Sequence, residues 1–110
     1  SMNPPLPPGL YIVATPIGNL GDLSPRAAET LRGANLILAE DKRVSAKLLA
    51  HAGATAPMWT YHDHSSEADR EAVLGRLGSE VVALISDAGT PLISDPGYKL
   101  VRAARAAGHA

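Results

Sequence analysis

The chain has 110 residues, 45% of them hydrophobic, with ten glycines, nine prolines and no cysteine. That length predicts one domain with a real core, and the absence of cysteine excludes disulfide staples, Cys-ligated zinc, iron–sulfur clusters and a Cys nucleophile. Ten Lys and Arg against eleven Asp and Glu argue against a broadly basic nucleic-acid binder, though not against a local basic patch, and no apolar run approaches the roughly 18 residues of a membrane span, which predicts a soluble chain.

Residues 1–8, SMNPPLPP, read as a disordered lead, with Ser1-Met2 resembling a tag remnant and the prolines barring a central strand. Leu10 to Ala14 (LYIVA) is a short apolar, β-branched run and predicts a buried strand. Thr15 to Gly21 carries Pro16, Gly18, Asn19 and Gly21 and predicts a loop. Ser24-Pro25 is a cap-plus-proline helix start, and that helix stops at Gly33. Leu36 to Ala39 (LILA) predicts a second buried strand. Val44 to Ala52 puts Val44, Leu48, Leu49 and Ala52 on one predicted buried face, ended by Gly53. Met58 to Tyr61 is a weakly signalled third strand. Ser66-x-x-Asp69 is a capping signal for a helix through about Leu77. Val81 to Ile85 (VVALI) is the clearest strand. Asp95-Pro96 opens a last helix with Leu100, Val101, Ala104 and Ala107 inside.

Strands that are apolar on both faces and alternate with helices predict an α/β fold, a parallel sheet flanked by helices on both sides. The sequence stops directly after a helix, where this alternation calls for a strand, so it reads as one domain of a longer protein.

In open α/β sheets ligands bind beyond the carboxyl ends of the strands, and three unusual segments fall there. Residues 86–97 hold two glycines, two prolines and two Ser-Asp pairs. Such a loop suits a polar organic ligand held largely by main-chain groups, with Asp87 accepting from hydroxyls or amines; Asp95 reads as a helix cap. Thr15-Pro16-Ile17-Gly18-Asn19-Leu20-Gly21 is neither a dinucleotide fingerprint nor a P-loop. Glu40-Asp41-Lys42-Arg43 places two acids beside two bases: a solvated helix start, or a phosphate or RNA-backbone contact through Lys42 and Arg43. His62-Asp63-His64 has strand spacing for metal but no third ligand, so no metal site is predicted. His51 and His109 read as solvent-facing.

Three stretches carry a family resemblance in order and spacing: GLYIVATPIGNLGDLSPRA, LILAEDKR and ALISDAGTPLISDPGYKLVRAA. Together they resemble the tetrapyrrole methylase superfamily, and within it the branch that methylates ribosomal RNA. Cobalamin and sirohaem methylases, like diphthine synthases, carry a G-x-G-x-G-D loop where this chain has Thr15-Pro16-Ile17-Gly18-Asn19-Leu20, which is similar to the RNA branch. Lys42 departs from that branch, where Thr is common. The Tyr61-His62-Asp63-His64 segment resembles the branch's Tyr-His-x-His pattern.

The resemblance implies a class III methyltransferase fold, with residues 9–110 as the N-terminal domain of two and S-adenosylmethionine held in the cleft between them. It implies 2′-O-ribose methylation of a cytidine in 16S ribosomal RNA of the small subunit, by a bacterial, cytoplasmic, homodimeric enzyme. Thr15, Pro16, Ile17 and Gly18 would line the cleft, and Asp87, Ala88, Gly89, Thr90 and Pro91 would contact the cofactor. Candidates for promoting attack by the ribose hydroxyl are Glu40, Asp41, Lys42, Arg43 and His62, and the residues do not choose among them. The family's downstream Pro-Gly-Pro-Ser loop is absent from this sequence, which implies weak cofactor binding and no catalysis by these residues alone. A porphyrinoid methylase and a non-catalytic RNA-binding module remain the alternatives.

Overall fold

The computed structural model describes residues 5–16, 19–62, 65–87 and 96–109. Among these residues four strands alternate with four α-helices, with a 3-10 turn at Leu20–Asp22 ahead of the first: β1 (Gly9–Thr15), α1 (Pro25–Gly33), β2 (Leu36–Ala39), α2 (Lys42–Ala52), β3 (Met58–Thr60), α3 (Glu67–Leu74), β4 (Val81–Asp87) and α4 (Pro96–Ala106). All pairings are parallel, in the order β1-β4-β2-β3. The predicted α/β class, a parallel sheet flanked by helices, is the observed one.

Alternate strand residues divide the core in two, because side chains point to opposite faces with period two. Val13, Ile37, Val81 and Ala83 meet Leu31 of α1 and Leu48, Leu49 and Ala52 of α2. Leu36, Leu38, Val82 and Leu84 meet Val73 of α3, Leu77, and Leu100 and Ala104 of α4 on the other face. The chain moves from β1 towards β3 with its helices on one face and returns to β4 with α3 on the other. That keeps one hand of crossover throughout.

Local chemistry sets the boundaries. The Ser24 hydroxyl accepts from the Ala27 N–H at 3.1 Å, with Pro25 in the first turn. The predicted capping box at α3 is present: Ser66 Oγ accepts from the Asp69 N–H at 3.1 Å, and the Asp69 carboxylate accepts from the Ser66 N–H at 3.0 Å. Gly53 ends α2 at φ +75°, a left-handed conformation that glycine adopts without strain. The Arg32 guanidinium of α1 donates to the Ala52 carbonyl at 3.0 Å and ties the two helix ends together. Asn35 grips β4 twice: its N–H donates to the Val81 carbonyl and its side-chain oxygen accepts from the Val81 N–H, both at 2.8 Å.

Several expectations need correction. Val44 is 69% exposed and Ser45 is buried in its place, because the inward stripe of α2 is 45, 48, 49 and 52, an i, i+3, i+4, i+7 set equally compatible with helical spacing. Ala107 is exposed, since α4 ends at Ala106 and Gly108 turns the chain at φ +86°. His109 is half-buried beside Gly78 rather than free in solvent. β4 runs two residues beyond Ile85, because Ser86 and Asp87 continue the ladder against Ala14 and Thr15. In the lead, Leu6 packs on the core close against Gly33, and the Pro7 carbonyl accepts from the Tyr11 hydroxyl at 2.7 Å. At the far edge Trp59 is partly exposed, with the Arg76 guanidinium 4.5 Å from its ring centroid and paired to Glu80 at 3.1 Å.

Candidate ligand cleft at the carboxyl edge

β4 sends its chain to α4 on one face of the sheet, whereas its neighbours β1 and β2 send theirs to α1 and α2 on the other. Where neighbouring strands diverge in this way, a crevice opens at their carboxyl ends. Thr15 and Asp87 are register partners there, so the first and third unusual segments begin side by side. The buried Thr15 hydroxyl donates to the Ser86 carbonyl at 3.3 Å, a long bond that fastens the two strand ends.

A cleft of about 570 Å³ opens on the α1/α2 side of this edge, lined by Thr15, Pro16, Leu20, Asp41, Arg43, Val44, Ser45, Lys47, Leu48 and Ile85. Its size lies within the range of small-molecule and cofactor pockets, roughly 300–1,000 Å³. Apolar Leu20, Val44, Leu48 and Ile85 face two cations, Arg43 and Lys47. This combination suits an amphipathic organic ligand, with an anionic group near the cations.

Asp41 is the N-cap of α2: its carboxylate accepts from the N–H groups of Arg43 at 2.9 Å and Val44 at 3.4 Å. The helix therefore starts at Lys42, earlier than the apolar pattern indicates, and its first two turns present Arg43 and Lys47 to the cleft. Of the candidate residues, the structure gathers Thr15, Pro16, Asp41 and Arg43 around one space. Glu40, Lys42 and His62 are not among the residues lining it. The His62 N–H donates to the Ser65 hydroxyl at 2.9 Å, beyond β3 at the far edge of the sheet. Ile17, Gly18, Ala88, Gly89, Thr90, Pro91 and Asp95 lie outside the described residues, as do Asp63 and His64. Lys47 and Val44 were not among the expected site residues. An exposed apolar side chain flanked by cations on one helix is the signal that points to them.

The Tyr61 hydroxyl is displaced from its ordinary behaviour. Burial pushes the Tyr61 hydroxyl above the usual tyrosine range, the nearby Arg70 guanidinium draws it part of the way back, and Asp69 pushes it up. Among the described residues no group of three or more His, Asp and Glu could hold a metal ion. None of the helices among them is long and apolar enough to cross a membrane.

The doubly covered parallel sheet and the crevice beside β4 define an α/β domain with a candidate ligand cleft at its carboxyl edge. The chain belongs to the tetrapyrrole (corrin/porphyrin) methylase family, whose model matches residues 9–110. It is 59% identical over 103 residues to a protein of Xylella fastidiosa named "Ribosomal RNA small subunit methyltransferase I", covering 93% of this chain and 38% of that protein. Proteins with the same printed name are 55% identical in Synechocystis, over 86% of this chain and 34% of theirs, and 52% identical in Escherichia coli O157:H7, over 90% and 35%. The chain thus spans little more than a third of the length of these relatives.

Proposed function

We propose that residues 9–110 form the N-terminal domain of a two-domain, S-adenosylmethionine-dependent methyltransferase that acts on the ribose 2′-oxygen of a cytidine in 16S ribosomal RNA. The observation that carries this reading is the pairing of Thr15 with Asp87 beside a cleft bearing Arg43 and Lys47, in a chain whose relatives are named as methyltransferases of the small-subunit RNA. The protein works in the cytoplasm, where its RNA is, and as a homodimer when full length.

The cofactor, when bound, supplies a methyl group activated by a sulfonium centre. What the protein must add is chiefly in-line positioning. The fastened ends of β1 and β4 offer a fixed floor for that purpose, with Asp87 and residues 88–91 contacting the cofactor and Thr15, Pro16, Ile17 and Gly18 lining its cleft. Arg43 and Lys47 repel the cationic sulfonium and attract anions, so their side of the cleft suits the RNA phosphate next to the target ribose. A cation there also favours the alkoxide character that the 2′-oxygen develops as it attacks. Asp41 is engaged in holding the helix that carries both cations. Glu40, Lys42 and His62 stay candidates for assisting the proton's departure.

The test uses the full-length protein, labelled S-adenosylmethionine and small ribosomal subunits from a strain lacking the gene. Label recovered as 2′-O-methylcytidine, and abolished by Asp87→Ala, is the expected result. Label accepted by a porphyrinoid and refused by RNA would overturn it. Transfer to neither, with co-sedimentation on subunits, would leave a binding module.

A further inference from the structure

On the opposite face of the sheet, α3 and α4 leave between them a groove of about 430 Å³ lined by Arg70, Lys99, Arg102, Ala103 and Ala106. We propose that this groove is a second docking site for the RNA phosphate backbone, separate from the ligand cleft. The inference rests on the RNA reading above.

Three observations carry it. First, the charge is concentrated: the whole chain has ten basic and eleven acidic residues, yet the charged residues of α4 are Lys99, Arg102 and Arg105, with no acid among them. Clusters of this kind on one helix are the electrostatic footprint of a polyanion site. Second, the groove selects the cation of α3. That helix also carries Glu67, Asp69 and Glu71, but Arg70 is its one residue in the lining. The Asp69 carboxylate is turned into the Ser66 cap, and the Arg70 guanidinium lies near enough to the buried Tyr61 hydroxyl to pull its pKa down. Ala103 and Ala106 add no bulk, so the cations border a shallow, open depression that an extended backbone can lie across.

Third, the placement suits a polymer. Arg70 and Lys99 lie in the first turns of their helices and Arg102 one turn further along, and both helices start at the carboxyl edge of the sheet. Arg43 and Lys47 lie at the same edge on the other face. A single phosphate occupies one of these clusters, whereas a folded RNA lying across the edge meets both. The α3/α4 groove then supplies affinity and orientation without touching the reacting atoms, since phosphate contacts position and do not specify.

The experiment compares full-length wild type with Lys99→Ala/Arg102→Ala, measuring methyl transfer to small subunits across a salt series, subunit binding by filter retention, cofactor affinity and sedimentation. Each lost phosphate contact removes about 0.7–0.9 from the slope of log affinity against log salt. The double variant is therefore expected to raise KM for subunits by about tenfold or more near 0.15 M salt and to flatten the slope by about 1.4–1.8. It should leave kcat and cofactor affinity unchanged. The charge-preserving Lys99→Arg/Arg102→Lys should restore most of the loss, and Lys99→Gln alone should give about half of it on the logarithmic scale. Wild-type KM and slope in the double variant would overturn the proposal, and so would a variant that sediments as a monomer where wild type is a dimer, since the groove would then be a subunit contact. If wild type binds subunits through the groove but transfers no methyl group, the docking site stands and the enzymatic reading falls. If wild type does not bind subunits, both fall.

Discussion

Replacing Asp41 separates two roles that its position allows, holding a helix and moving a proton. The substitution Asp41→Ala deletes the acceptor for the Arg43 N–H at 2.9 Å and the Val44 N–H at 3.4 Å. Loss of an N-cap costs about 0.5–2 kcal/mol, typically about 1. The site is exposed and one of its two bonds is long, so about 1 kcal/mol applies. For a domain of roughly 100 residues that lowers Tm by about 4–8 °C. Asp41→Asn keeps an oxygen acceptor and gives up only the interaction of a charge with the helix end, so its Tm should fall between those of wild type and Asp41→Ala. Thermal unfolding of the three chains by circular dichroism reads this order directly. In the full-length protein, Asp41→Asn should retain methyl transfer within about threefold, a change of about 0.7 kcal/mol in barrier. Removing a general base typically costs about 10²–10⁴ in rate. A stable Asp41→Asn protein with a loss of that size would refute the capping assignment and make the carboxylate a participant in the chemistry. An Asp41→Ala chain with unchanged Tm would refute the energetic argument itself.

Other consequences are equally direct. Gly53→Ala should cost about 1–2 kcal/mol of stability, read as a lower urea midpoint with an unchanged m-value, because a Cβ at φ +75° is strained; the nearest heavy atom would be Arg32 Cδ at 3.7 Å, so crowding adds nothing. Leu38→Ala empties a fully buried position on β2 and should cost about 2–5 kcal/mol, measured by calorimetric unfolding. The raised Tyr61 pKa means that the folded chain favours the neutral phenol. Stability from this group is therefore complete below the ordinary tyrosine value near 10.0 and is lost as pH rises through the folded value. Urea midpoints followed from about pH 9 upward should fall more steeply for wild type than for Tyr61→Phe.

The strands and caps were legible because each is written locally. LYIVA, LILA and VVALI are apolar on both faces, and Ser24-Pro25 and Ser66-x-x-Asp69 announce helix starts with their own side chains. The inward face of α2 was not legible, since Val44 and Ser45 both satisfy helical spacing and only the way the helix packs on the sheet decides between them. Strand order was equally hidden. The same alternation of strands and helices serves several sheets, and order follows from which face each crossover covers. Thr15 and Asp87 could be named as site residues from their segments, but their adjacency is a property of the β1–β4 register. Lys47 escaped because a lysine on an amphipathic helix ordinarily belongs to a solvated face. Arg70, Lys99 and Arg102 escaped because their grouping joins helices that are distant in sequence.

The order β1-β4-β2-β3 also constrains how the molecule is made. β1 pairs only with β4 among the described strands, and β4 is the last of them to be synthesised. β2 and β3 are neighbours in both sequence and sheet and can zip together through α2 while translation continues. Its partner among the described strands reaches the apolar β1 run only when residues 81–87 emerge. Pairings this distant slow folding and prolong the exposure of sticky segments. Nascent chains halted before Val81 should therefore need chaperone protection at Leu10 to Ala14, and lose that need once β4 has slotted between β1 and β2.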